Sequence, residues 1–197
     1  MTDTSRESRL ACASAAFTLV ELMIVVAIVA VLATVAAFAY SKYAKGGRMV
    51  EAYNMLAQIQ AQQETYFGDF GTYCNASGGD TCLANNAAKF HPASFELEAK
   101  TWNPAGSTLA AWGTGQLGVK VDVGKTFFSY MTVAGLASDS YAMRDGSATR
   151  GLAPAVGRPW YFAVARADMN SDGDTTKYTE IVVTSLRTQA IVFNEGE

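Results

Sequence analysis

From Leu22 to Ser41 the chain carries no charged side chain, and apolar residues fill nearly every position. At ~1.5 Å per residue, a helix of about 20 such residues spans the roughly 30 Å hydrocarbon core of a bilayer. The pattern predicts a transmembrane helix, with Lys42, Lys45 and Arg48 just past its end. The periodicity then becomes amphipathic. Met49, Ala52, Tyr53, Leu56, Ile59, Gln63, Tyr66 and Phe67 recur at three-or-four spacing, with Gln58, Gln62 and Glu64 on the other side. One helix from Phe17 to Phe67 is expected, ~75 Å long if unbroken. Gly68 and Gly71 supply its stop.

Beyond that point the period falls to two. Leu117 to Val123 alternates, Gly124-Lys125 suits a turn, and Thr126 to Ala134 follows, which together predict a β-hairpin. Trp160 to Ala167, Thr179 to Thr184 and Ala190 to Phe193 read as further strands. The expected fold is α+β: an antiparallel sheet of about four strands with the long helix laid across one face. Tyr141 to Pro159, rich in Gly, Ala and Arg, reads as a surface loop of the kind that becomes a contact surface.

Charge changes this picture at one place. Glu21 stands near the start of the apolar run, where a carboxylate is costly to insert into lipid and calls for a partner. Elsewhere the net charge of −3 gives no extended basic surface, so nucleic acid is not indicated as a partner. The small residues Ala13 to Ala16 precede the apolar core, the reverse of a conventional secretory signal. A lipoprotein reading of Cys12 lacks an apolar stretch before it.

An alanine followed by FTLVELMIVVAIVAVLA resembles the processing site and N-terminal helix of type IV pilins and the related pseudopilins. The resemblance implies a leader at 1–16, removed by a prepilin peptidase that cuts between Ala16 and Phe17, and N-methylation of the new Phe17 amine. It makes Glu21 the fifth residue of the mature chain, whose carboxylate pairs with the N-terminal amine of a neighbouring subunit during assembly. It further implies a pilin fold, with an assembly helix at 17–42, an amphipathic continuation at 43–70 and a β-sheet head at 71–197. The partners implied are other pilin subunits in a homopolymer, the membrane, and the inner-membrane assembly machinery of the pilus. The chain would cross the inner membrane once before assembly and lie in an extracellular filament afterwards.

Three features depart from the family pattern. Ala16 replaces the usual Gly, the leader's Arg6 and Arg9 are offset by Asp3 and Glu7, and Phe38 stands where major pilins often carry proline. Gly46 and Gly47 offer a weaker place to bend. Counting the basic residues after the apolar run would turn the C-terminal part inward; the motif and the cysteines weigh against that count.

With Cys12 in the leader, Cys74 and Cys82 are left as an even pair around CNASGGDTC, which reads as a disulfide in an exported chain. A metal is the rival reading, for which two thiols and the distant His91 make a poor ligand set. In ADMNSDGDTTKYTEI, Asp168, Asn170, Asp172 and Asp174 alternate around Gly173, resembling a calcium loop; the bidentate Glu position falls on Thr179, with Glu180 one place late. Two readings stay open there: a bound calcium ion, or a turn held by side-chain-to-backbone bonds. No cofactor is otherwise required.

Nothing in the head forms an active site. GTGQLG matches a dinucleotide fingerprint by spacing but leads toward a strand, and His91 stands alone before Pro92. The chain reads as a non-enzymatic pilus subunit serving motility, adhesion or DNA uptake. The alternatives are a type II secretion pseudopilin and a membrane-anchored binding module that never polymerises.

Overall fold

The computed structural model describes residues 17–76, 82, 90–102, 107–113, 116–121, 124–138, 157–174 and 177–195. The leader and most of the Tyr141 to Pro159 loop lie outside them. The fold is α+β, one long N-terminal helix followed by antiparallel sheets. Chain contacts divide it into two units, Met1–Tyr43 and Ala44–Glu197.

The helix α1 runs Leu19–Phe70. Its portion in the first unit is exposed all round, and an 18-residue window there has a mean hydropathy of 2.9 with none of it buried. Water is a poor solvent for such a surface. By length and composition, α1 can cross a membrane.

In the second unit α1 buries Met49, Ala52, Met55, Leu56, Ile59, Gln63 and Tyr66 against the head. Tyr53, placed on that stripe by spacing, is instead exposed, and Met55 takes the buried position. The reason is angular. Tyr53 is rotated about 100° from Ala52, away from the head, whereas Met55 is about 60° from Ala52 on the other side, still on the buried face. The helix also passes through Gly68. It stops at Gly71, where φ is 69° and the N–H still donates to the Phe67 carbonyl at 2.8 Å, a left-handed C-terminal residue that glycine adopts without strain.

The head has a two-stranded ribbon, β1 (Lys100–Thr101) with β2 (Lys125–Thr126), and a four-stranded antiparallel sheet. The sheet follows chain order: β3 (Ser129–Gly135), β4 (Trp160–Ala167), β5 (Thr179–Thr184) and β6 (Arg187–Phe193). The hairpin expected from Leu117 to Ala134 is not formed. Residues 117–121 make no strand; the Leu117 and Val119 N–H groups donate to the carbonyls of Ala111 and Trp112, both at 3.0 Å, in a short 3-10 helix (Ser107–Trp112). Leu117 and Val119 are buried, so their alternation reports packing against the core without a ladder partner. Lys125 and Thr126 pair with Thr101 and Lys100, a segment that carried no strand signal.

Alternation along the sheet sorts two faces. Tyr130, Ala163, Ala165, Ala167, Ile181 and Val183 join the core that includes α1. Met131, Trp160, Phe162, Val164 and Val182 form a separate buried cluster on the other face. There Gly135 lies opposite Trp160, and a Cβ on it would run into the indole, meeting Cε2 at 2.7 Å. Gly135→Ala is expected to destabilise the head by about 1 to 3 kcal/mol through overpacking, read as a lower melting temperature. An unchanged melting temperature would mean that the indole swings aside without cost.

Candidate functional site

The N-terminal end of α1 is built by local rules. Thr18 precedes the first helical residue, and its Oγ1 accepts the Glu21 N–H at 3.2 Å. In return, the Glu21 carboxylate accepts the Thr18 N–H at 3.0 Å and the Thr18 hydroxyl at 2.8 Å. This is a capping box, in which two orphan donors of the first turn are satisfied reciprocally and the carboxylate sits at the positive end of the helix dipole. The Thr18–Glu21 spacing signals such a box, a feature the reading of Glu21 as an uncompensated charge overlooked. Among the described residues the carboxylate therefore has hydrogen-bond donors but no cation paired with it. Phe17, beside it, is 75% exposed, and Ala16 lies outside the described residues.

Further along α1, Arg48, Glu51 and Gln63 fix the helix to the head. Glu51 accepts hydrogen bonds from the Thr126 hydroxyl, from the Phe127 N–H at 2.9 Å and from the Tyr130 hydroxyl at 3.3 Å. Burial first, and the nearby Glu51 charge second, push the Tyr130 phenol far above its ordinary range, so it stays a donor. Arg48, one turn earlier, lies over the Phe127 ring at 4.8 Å. Gln63 is fully buried: its amide N–H groups donate to the Cys74 carbonyl at 2.7 Å and Thr132 Oγ1 at 3.0 Å, and its carbonyl accepts the Cys74 N–H at 2.8 Å.

Cys74 and Cys82 are joined as a disulfide with Cα atoms 4.5 Å apart, and the Asn75 N–H donates to the Cys82 carbonyl at 3.0 Å. Gln63 thus anchors one end of the cystine loop directly to α1. Sequence spacing placed Gln63 on the inward stripe but gave no sign of this polar task.

The aspartate turn is held from within. Asp168, buried, accepts the Ser171 N–H at 2.7 Å and the Gly173 N–H at 3.0 Å through its two carboxylate oxygens. Asn170 Oδ1 accepts the Asp172 N–H at 3.2 Å, and Asp172 Oδ1 accepts the Asp174 N–H at 2.7 Å. The Asn170 amide donates to the second Asp172 oxygen at 2.8 Å, and Lys177 pairs with Asp174 at 3.8 Å. The oxygens a calcium ion would need face backbone N–H groups, the Asn170 amide and the Lys177 ammonium. Among the described residues no group of three or more His, Cys, Asp and Glu is arranged to hold a metal.

Asp168→Ala is expected to cost about 3 kcal/mol, because two charge-assisted bonds are lost together. Added calcium should leave the melting temperature of the unmodified chain unchanged. A rise of several degrees would favour the cation reading over the closed turn.

His91 is paired through its backbone with Tyr130, at 2.8 Å in both directions. Burial holds its imidazole below the ordinary histidine range, and its ring packs against Trp102 at 4.8 Å. It sits in an aromatic core, away from any acid-base partner among the described residues.

Comparison with known proteins adds one finding. Residues 12–37 match the family model described as the prokaryotic N-terminal methylation motif. No curated protein and no solved structure matches the chain significantly. The motif implies processing by a prepilin peptidase and assembly with other subunits, and with the apolar helix it suggests membrane anchoring. Taken with the α+β head and the disulfide, the methylation motif leading into a long exposed apolar helix fits a type IV pilin-like protein.

Proposed function

We propose that this chain is the structural subunit of a type IV pilus, cut between Ala16 and Phe17, N-methylated on Phe17, and polymerised through its N-terminal helix into an extracellular filament. The observation that carries this reading is the start of α1. A helix exposed and apolar on all sides opens with one carboxylate, Glu21, that has hydrogen-bond donors but, among the described residues, no paired cation. A neighbouring subunit's N-terminal amine would supply that cation, and neighbouring helices would cover the apolar surface.

The head takes no catalytic part. Among the described residues, Glu51, Gln63 and Asp168 serve to hold α1, the cystine loop and the aspartate turn. A type II secretion pseudopilin would share the motif; the side-chain-to-backbone bonds of the aspartate turn support a closed turn over the calcium loop that would favour it.

The test is the composition of filaments sheared from cells, compared between a normal strain and one lacking its prepilin peptidase. The chain should dominate the filaments of the first and remain in the membranes of the second. Trace amounts in the normal filaments would rule out a main structural subunit.

A further inference from the structure

We propose that the head has a basic seat for the phosphates of anionic phospholipids, formed by Lys45, Arg48 and Lys125 around Phe127. The inference rests on the membrane anchoring in the proposed function and adds a lipid preference to it. Lys45 and Arg48 follow within two turns of the apolar run, which ends in the exposed tyrosines Tyr40 and Tyr43, residues suited to the headgroup level. Lys125, exposed on β2, adjoins Thr126 and Phe127, which Glu51 and Arg48 tie to α1.

Charge complementarity selects the occupant. Among the described residues the ion pairs are Arg166–Glu180 and Lys177–Asp174, and none of the three cations takes part in them. The Glu51 carboxylate, which lies against this loop, is turned to the Thr126 hydroxyl, the Phe127 N–H and the Tyr130 hydroxyl. Phe127 is half-buried and carries the Arg48 guanidinium over its ring, a semi-apolar surface beside the cation. The covalent path from the apolar run is so short that lipid phosphates lie within reach of the Lys45 and Arg48 side chains. Each cation near an anionic leaflet favours association roughly fivefold.

The experiment uses the full chain in nanodiscs of phosphatidylcholine, with or without phosphatidylglycerol, and follows amide hydrogen exchange over residues 44–49 and 124–128. Phosphatidylglycerol should slow exchange there by at least about fivefold, and high salt should reverse the effect. Lys45→Gln with Arg48→Gln and Lys125→Gln should abolish the difference. The double variant Lys45→Gln with Lys125→Gln, which keeps the Arg48 contact with Phe127, should reduce it even if the triple variant folds poorly.

Equal exchange in both lipids, or an undiminished effect in the double variant, would overturn the proposal while leaving the pilus reading in place. Failure of the unmodified chain to enter nanodiscs would overturn both. Protection by an oligonucleotide in phosphatidylcholine equal to that by phosphatidylglycerol would replace the lipid with a general polyanion.

Discussion

Glu21→Ala is expected to lower filament incorporation by roughly a hundredfold or more, the scale set by an uncompensated carboxylate or amine in an apolar medium. The amount of chain in the membrane should be unchanged, because removing the charge makes insertion easier. The capping box adds a control. Glu21→Gln keeps an oxygen for the Thr18 N–H and hydroxyl but carries no charge, so it preserves the first turn and removes the attraction to a neighbour's amine. Both variants should fail to assemble. If Glu21→Gln assembles normally while Glu21→Ala does not, the residue acts as a helix cap and the amine pairing is wrong. Normal assembly of both would favour an anchored module whose helix has no polymerising role.

Gln63→Leu is expected to destabilise the head by about 3 to 5 kcal/mol, since the Cys74 N–H and carbonyl both lose their partner within a fully buried site. Leucine is similar in volume, so the loss is of hydrogen bonds rather than packing. Chemical denaturation of the purified chain with the disulfide intact checks this. A change below about 1 kcal/mol would mean that water or a rearranged loop satisfies Cys74. Because Gln63 joins α1 to the cystine loop, the same variant should expose the disulfide to reductants.

The parts of this fold that could be read in advance are those set by local or periodic constraints. The apolar run and the stripe from Met49 to Tyr66 announce α1, and β4 and β5 begin and end where their apolar runs do. Thr18 and Glu21 are three positions apart, so their cap was legible from spacing. Leu117 and Val119 misled because a two-residue period requires only alternating burial, and the 3-10 helix beside them supplies hydrogen-bond acceptors without a strand. Glu51 and Gln63 were illegible as connectors. Their partners at Phe127 and Thr132 lie 76 and 69 residues away, and nothing in the local pattern couples them. The aspartate spacing suits either a cation or a closed turn; the backbone N–H groups that Asp168 faces become visible only once the turn is folded.

Intact-mass spectrometry with N-terminal fragmentation, on sheared surface filaments and on membranes of the same cells, tests the central claim most directly. The account predicts a chain beginning at Phe17, methylated on its amine and abundant in the filaments. A chain found only in membranes, with the residues before Phe17 still attached, would contradict it.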